Sequence, residues 1–151
     1  MTRILMVCLG NICRSPLAHG ILQSKVSAEH YYVDSAGTAA YHIGNAPDRR
    51  SIAVAKHNGL DISAQSARQF KTSDFDAFDY IYAMDESNYS DIISLARHTG
   101  DIEKVKLFLE INPSIQNKNV PDPYYGNEGG FEYVFDLITE TCDLLVEELG
   151  K

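Results

Sequence analysis

A chain of 151 residues, 44% of them hydrophobic, can bury one core and is too short for two domains of ordinary size, so a single domain over 1–151 is expected. A formal charge of −8 and a pI near 5.0 argue against a partner in duplex nucleic acid, which needs a basic face to replace phosphate counterions, so any anionic ligand must be drawn by a local site. The start shows no leader pattern and no apolar run approaches bilayer length, while three irregularly spaced cysteines make a poor disulfide framework; a soluble, cytoplasmic protein with reduced thiols and no membrane partner is expected.

The run "RILMVC", Arg3–Cys8, is short and mostly apolar and reads as a strand. A turn follows, and from Ser15 to Glu29 the apolar residues Leu17, Ile21, Leu22 and Val26 recur at helical spacing. A second strand is predicted at Tyr31–Ala36, then the loop "GTAAYHIGNAPD", then a helix opening at Pro47 or Asp48 and ending near Gly59. A short helical piece at Thr72–Phe78 precedes the apolar run Tyr80–Met84, an amphipathic stretch Ser87–Arg97, and a fourth strand candidate, "VKLFLEI", at Val105–Ile111. Pro, Asn and Gly leave little room for regular structure from Asn112 to Gly130, and Phe131–Leu149 returns to helical spacing.

Strands alternating with helices imply parallel pairing, because each crossover is long enough to hold a helix. The expected architecture is a three-layer α/β fold, with a central four-stranded parallel sheet flanked by helices. Ligands in such folds gather beyond the carboxyl ends of the strands, which directs attention to the turn after Cys8.

That turn, "CLGNICRS", contains Cys8, Leu9, Gly10, Asn11, Ile12, Cys13, Arg14 and Ser15. Its amides can converge on one point, Gly10 and Asn11 permit unusual dihedrals, and the following helix aims its positive end there. The result is a phosphate-binding loop between first strand and first helix, with Arg14 offering a planar guanidinium that can hold two oxygens of a tetrahedral dianion. A cation at a helix N-terminus opposes the dipole, so its presence points to an anion. Cys8 lies beneath the guest, where amides, dipole and Arg14 favour thiolate over thiol, and Ser15 can donate a hydroxyl hydrogen bond to the sulfur. The loop lacks the lysine of a nucleotide-binding loop, so no nucleotide cofactor is implied.

Cleaving a phosphate ester also needs a proton donor for the leaving oxygen. Asp122 in "VPDPYYGN" lies between two prolines on a stiffened loop and can serve as acid and then base, or simply as a turn residue; spacing does not choose. Tyr124 and Tyr125 follow it, and Tyr41 lies in the other irregular loop. If both loops rim one cleft, these rings can flank a phosphorylated phenol; otherwise they are packing. His19, His30, His42, His57 and His98 show no metal-ligand spacing, so no metal is expected.

These stretches resemble the low-molecular-weight protein-tyrosine phosphatase family. "VCLGNICRSP", "DSAGT" at Asp34–Thr38, "PDRR" at Pro47–Arg50, "MDESN" at Met84–Asn88 and "DPYYGN" at Asp122–Asn127 occur in the family's order and span nearly the whole chain. The resemblance implies Cys8 as nucleophile, Arg14 as phosphate ligand, Asp122 as acid and base, and Ser15 as the group that eases sulfur's departure. It further implies Asn11 holding the loop through side-chain hydrogen bonds, Tyr41 and Tyr124 flanking the ring, and Asp85 supporting Ser15. Cys13 matches a position that can form a disulfide with the nucleophile; its other reading is a small buried residue. Two departures stand out: His19 replaces a glutamate, and Asn58 replaces the histidine that can pair with it, with His57 one place earlier.

The reading is therefore a monomeric, metal-free enzyme hydrolysing phosphotyrosine and small aryl phosphates. An arsenate reductase would need two further cysteines to relay a disulfide, and Met84–Ser90 supplies none. A non-catalytic phosphotyrosine-binding module has no need of a reactive thiol or of an acid.

Overall fold

In the first strand, β1 (Thr2–Cys8), apolar residues run without interruption from Ile4 to Cys8, which is what a strand covered on both faces requires. Ile4, Met6 and Cys8 point to one layer and Leu5 and Val7 to the other, all at most 2% exposed. The computed structural model describes residues 1–125 and 128–150, and the side chains of all of these except 125, 128 and 129. The remaining strands are β2 (Tyr31–Gly37), β3 (Tyr80–Ala83) and β4 (Val105–Leu107), arranged β2-β1-β3-β4 with every pair parallel. Cys8 stands opposite Gly37, and Val7 opposite Ala83.

The helices are α1 (Arg14–Lys25), α2 (Arg49–His57), α3 (Asp74–Ala77), α4 (Glu86–Ile93), α5 (Thr99–Glu103) and α6 (Glu128–Leu149). α1, α2 and α6 bury Leu17, Val54, Phe131 and Ile138 against one face of the sheet; Phe75 of α3 and Ile92 of α4 cover the other. Strand order reverses at β1, whose neighbours are reached by crossovers running in opposite directions, so a crevice opens beyond its carboxyl end. Among the described residues no helix is long and apolar enough to cross a membrane.

The predicted strand Val105–Ile111 stops at Leu107, and Phe108–Ile111 form a 3₁₀ turn. Phe108 and Leu109 are both fully buried in the same layer, which strand alternation forbids and a helical turn allows. α1 ends at Lys25 rather than Glu29, since the Ser27 carbonyl accepts from His30 and Tyr31 to start β2. α2 opens at Arg49 with Asp48 as its cap, α3 is shorter than Thr72–Phe78, and α4 ends at Ile93, short of Arg97. α6 begins at Glu128, and a further 3₁₀ turn occupies Pro123–Tyr125 within the expected loop.

Candidate active site

The turn joining β1 to α1 wraps its backbone around the sulfur of Cys8. Asn11 takes the left-handed conformation, φ 57°, and its N–H donates to Cys8 Sγ at 3.3 Å. Carbonyls of the turn are engaged from outside: Thr38 N–H donates to Cys8 O, Ala39 N–H to Leu9 O and Asp48 N–H to Ile12 O, at 2.9, 2.9 and 2.8 Å. β2 reaches this close because its last residue is Gly37, where a Cβ would stand 2.7 Å from Leu9 O and 3.0 Å from Asn11 N.

Ser15, fully buried in the first turn of α1, places its Oγ 3.0 Å from Cys8 Sγ. Asn11 Nδ2 donates to that hydroxyl at 2.8 Å, while Asn11 Oδ1 accepts from the Arg68 N–H at 3.0 Å. The hydroxyl proton is thereby left for the sulfur or for Ala36 O, 3.4 Å away. Arg68 is itself clamped by Asp34 and Asp74, so the chain Asp74–Arg68–Asn11–Ser15–Cys8 is continuous.

Arg14 opens α1 and is 2% exposed. Its Nη1 donates to Asp85 Oδ2 at 2.6 Å and to Val120 O at 3.0 Å, which leaves Nη2 facing Asp122 Oδ2 at 3.6 Å. Burial opposes its charge, but the Cys8 sulfur, Asp85 and Asp122 outweigh burial and hold the guanidinium more firmly protonated than usual. Asp85 caps α4 through the Asn88 N–H, and the Val120 N–H donates to Met84 O, so the loop carrying Asp122 is pinned to the end of β3. Asp122 Oδ1 accepts from the Tyr124 N–H at 3.0 Å, and its side chain is 32% exposed.

Above Cys8 and Arg14 the cleft is walled by Tyr41, His42 and Tyr124, with Asp122 on its rim. The His42 ring lies 6.4 Å from that of Tyr41 and 6.2 Å from that of Tyr124, and packs on Gly10, where a Cβ would come 3.0 Å from it. Cys13 also lines the cleft; burial, then the charges of Asp48, Cys8 and Asp122, push its thiol up to about 12 despite a hydrogen bond from Ser51. Among the described residues no group of His, Cys, Asp or Glu is arranged to hold a metal ion. A floor of sulfur, amide and guanidinium under aromatic walls can receive a tetrahedral dianion attached to a planar ring.

The family model for low molecular weight phosphotyrosine protein phosphatase matches residues 3–151. The chain belongs to this family. Relatives of that name include a human phosphatase, 40% identical over 96% of this chain and 94% of its own, and one from Schizosaccharomyces pombe, 45% identical over 85% of each. The crystal structure of a protein tyrosine phosphatase from Entamoeba histolytica superposes with a TM-score of 0.93 at 38% identity, covering 99% of this chain and 97% of that one.

Within this phosphatase fold, every residue of the predicted loop, with Tyr41, Tyr124 and Asp122, comes to one cleft or its immediate support; the Tyr125 side chain lies outside the described residues. Asp85 does not support Ser15 as expected. It pairs with Arg14 because the capped end of α4 aims its carboxylate at the guanidinium, and Ser15 is held by Asn11 instead. The partner of His19 is likewise not at positions 57 or 58: His19 Nδ1 meets Ser35 Oγ at 3.1 Å and the ring faces Gln65, while Asn58 caps α2 through Val54 O. His42, Gly37 and Arg68 escaped the sequence reading. Only the position of His42 beside Tyr41 and of Gly37 in "DSAGT" hinted at them.

Proposed function

We propose that this phosphatase hydrolyses phosphotyrosine in proteins, and small aryl phosphates, through a cysteinyl phosphate at Cys8. Cys8 Sγ attacks phosphorus while the bond to the aryl oxygen breaks, and the Asp122 carboxyl group gives that oxygen its proton. Arg14 Nη2 and the loop amides hold the equatorial oxygens. Water then attacks the phosphocysteine, Asp122 accepts its proton, and sulfur leaves as a thiolate held by the Ser15 hydroxyl. One observation carries the reading: Cys8 Sγ receives Ser15 Oγ at 3.0 Å and the Asn11 N–H at 3.3 Å at the foot of a cleft that holds a buried arginine. A binding module would not require a sulfur held in this way.

Cys8→Ser abolishes turnover, and Asp122→Ala lowers kcat for an aryl phosphate by roughly 10²–10⁴. Release of phenol by the serine variant at the normal rate would overturn the proposal. Cys142, fully buried in α6, is badly placed for the relay an arsenate reductase needs.

The proposal extends to a monomer acting in the cytoplasm, consistent with three free cysteines. It also assigns Cys13 as a resolving thiol: once peroxide converts Cys8 to a sulfenic acid, the Cys8 charge that helps Cys13 keep its proton is gone, and Cys13 Sγ attacks the Cys8 sulfur, its proton leaving with the hydroxyl as water while a disulfide forms. Thiol should then restore the oxidised native enzyme but not oxidised Cys13→Ser; equal recovery of the two would rule the role out.

A further inference from the structure

Beside the cleft, α2 and the start of α6 enclose a second hollow of about 200 Å³, open to solvent. Its floor is Phe131 and Val54, its α2 wall carries Arg49, Arg50 and His57, and Glu132 stands on the α6 side. The charge pattern is unusual for this molecule. The chain as a whole is at −8, yet the α2 segment "RRSIAVAKH" has three permanent cations and no carboxylate.

Two of those cations, Arg49 and Arg50, occupy the first turn, where the helix dipole disfavours positive charge. Arg50 is accounted for. It is bound to Asp48 at 3.0 Å and to Tyr124 O at 3.0 Å, and lies over the rings of Phe131 and Tyr124 at 4.6 and 5.7 Å. Arg49 is exposed at the mouth of the hollow, with the neighbouring Asp48 carboxylate already taken by Arg50. A cation in that position is stabilised by an incoming anion.

Arg50 and Tyr124 form the partition between this hollow and the cleft, since Tyr124 also walls the space above Cys8. A peptide that leaves the cleft on the Tyr124 side meets the hollow next, across this partition. We infer that the hollow is a subsite for the substrate peptide, taking an acidic side chain close in sequence to the phosphotyrosine, with its carboxylate at Arg49 and His57 and its methylenes over Phe131. Glu132 repels a carboxylate from the α6 side and confines it to the α2 wall. This inference rests on the phosphotyrosine reading above.

Arg49 is the residue to test, because replacing Arg50 would also release Asp48 and the Tyr124 carbonyl. The measurement is kcat/KM for two phosphotyrosine peptides, identical except for acidic or uncharged flanks, with the native enzyme, Arg49→Ala and Arg49→Glu. Loss of one exposed charge lowers the acidic-to-neutral preference about threefold, and reversal about tenfold, with the native preference shrinking as salt rises. Hydrolysis of both peptides with a preference that neither variant nor salt alters would overturn the subsite and leave the phosphatase reading standing. Failure to hydrolyse either peptide would overturn both.

Discussion

Asn11 is the residue on which the geometry of the sulfur most depends, and replacing it separates two effects. Its side chain is 3% exposed and makes two hydrogen bonds, Nδ2 to Ser15 Oγ at 2.8 Å and Oδ1 from the Arg68 N–H at 3.0 Å, while its φ of 57° is one that alanine resists. In Asn11→Gly the conformation is kept and the bonds are lost. Ser15 retains Ala36 O and Cys8, so the main cost is the orphaned Arg68 N–H, about 1–3 kcal/mol. Asn11→Ala adds roughly 1 kcal/mol for a Cβ in the left-handed region. Urea unfolding should therefore rank native, glycine and alanine in that order, with the last two separated by roughly 1 kcal/mol. Both variants free the Ser15 hydroxyl, and kcat falls by about 10–10², less than the 10²–10³ typical of deleting a transition-state donor. A glycine variant no more stable than the alanine variant would refute the backbone argument. Unchanged kcat in both would refute the role of the Asn11–Ser15 bond.

Gly37→Ala drives a methyl to 2.7 Å of a backbone oxygen in the catalytic loop and should remove most activity, whereas Gly59→Ala, with φ 83° and open space around it, costs about 1–2 kcal/mol and leaves kcat intact; equal kinetics in the two would sink the close-approach reading. Asp85→Ala strands the buried Arg14 cation and costs about 3 kcal/mol, part of which saturating phosphate restores by supplying the missing charge; thermal unfolding with and without phosphate reads this, and equal protection of native and variant would count against it. Burial, only partly offset by Asp34 and Gln65, lowers the proton affinity of His19, so below about pH 6.5 the unfolded chain binds a proton the folded chain refuses. Stability is therefore full above that pH and falls as pH drops below it, and His19→Gln should flatten the loss below about pH 6.5 in denaturant titrations; parallel curves would exclude His19 as the cause.

The strand, loop and first helix were legible because three signals agree there: an apolar run buried on both faces, a Gly-Asn pair where the backbone reverses, and a cysteine and arginine at the two ends of the turn. Long-range geometry left no comparable trace. Nothing local in "VKLFLEI" says that the strand will stop at Leu107, because the reason is the packing of Phe108 and Leu109 into one layer. The short helix Thr99–Glu103 lacks an apolar stripe and stays beyond reach for the same reason. In the site, residues adjacent to the motif were found and those delivered by tertiary contact were not: Arg68 reaches Asn11 from 57 positions away, and Asp85, 71 positions from Arg14, proved to hold the arginine rather than the serine.

That exchange of partner explains how an acidic chain keeps a strong anion site. A buried guanidinium is costly unless neutralised, and Asp85 and Val120 O meet that requirement through one nitrogen only, Nη1. A purely structural ion pair would use the planar fork in full. Here Nη2 points across the cleft to Asp122, at 3.6 Å and beyond hydrogen-bond reach, so one half of the arginine secures its place in the fold and the other half faces the guest. The net charge of −8 then acts against unspecific anions, while the loop amides, Arg14 and the first turn of α1 act over a few ångströms where screening is weak. The sulfur and Arg14 lie at the foot of the cleft, below Tyr41, His42 and Tyr124, so an anion meets them only after descending past these rings.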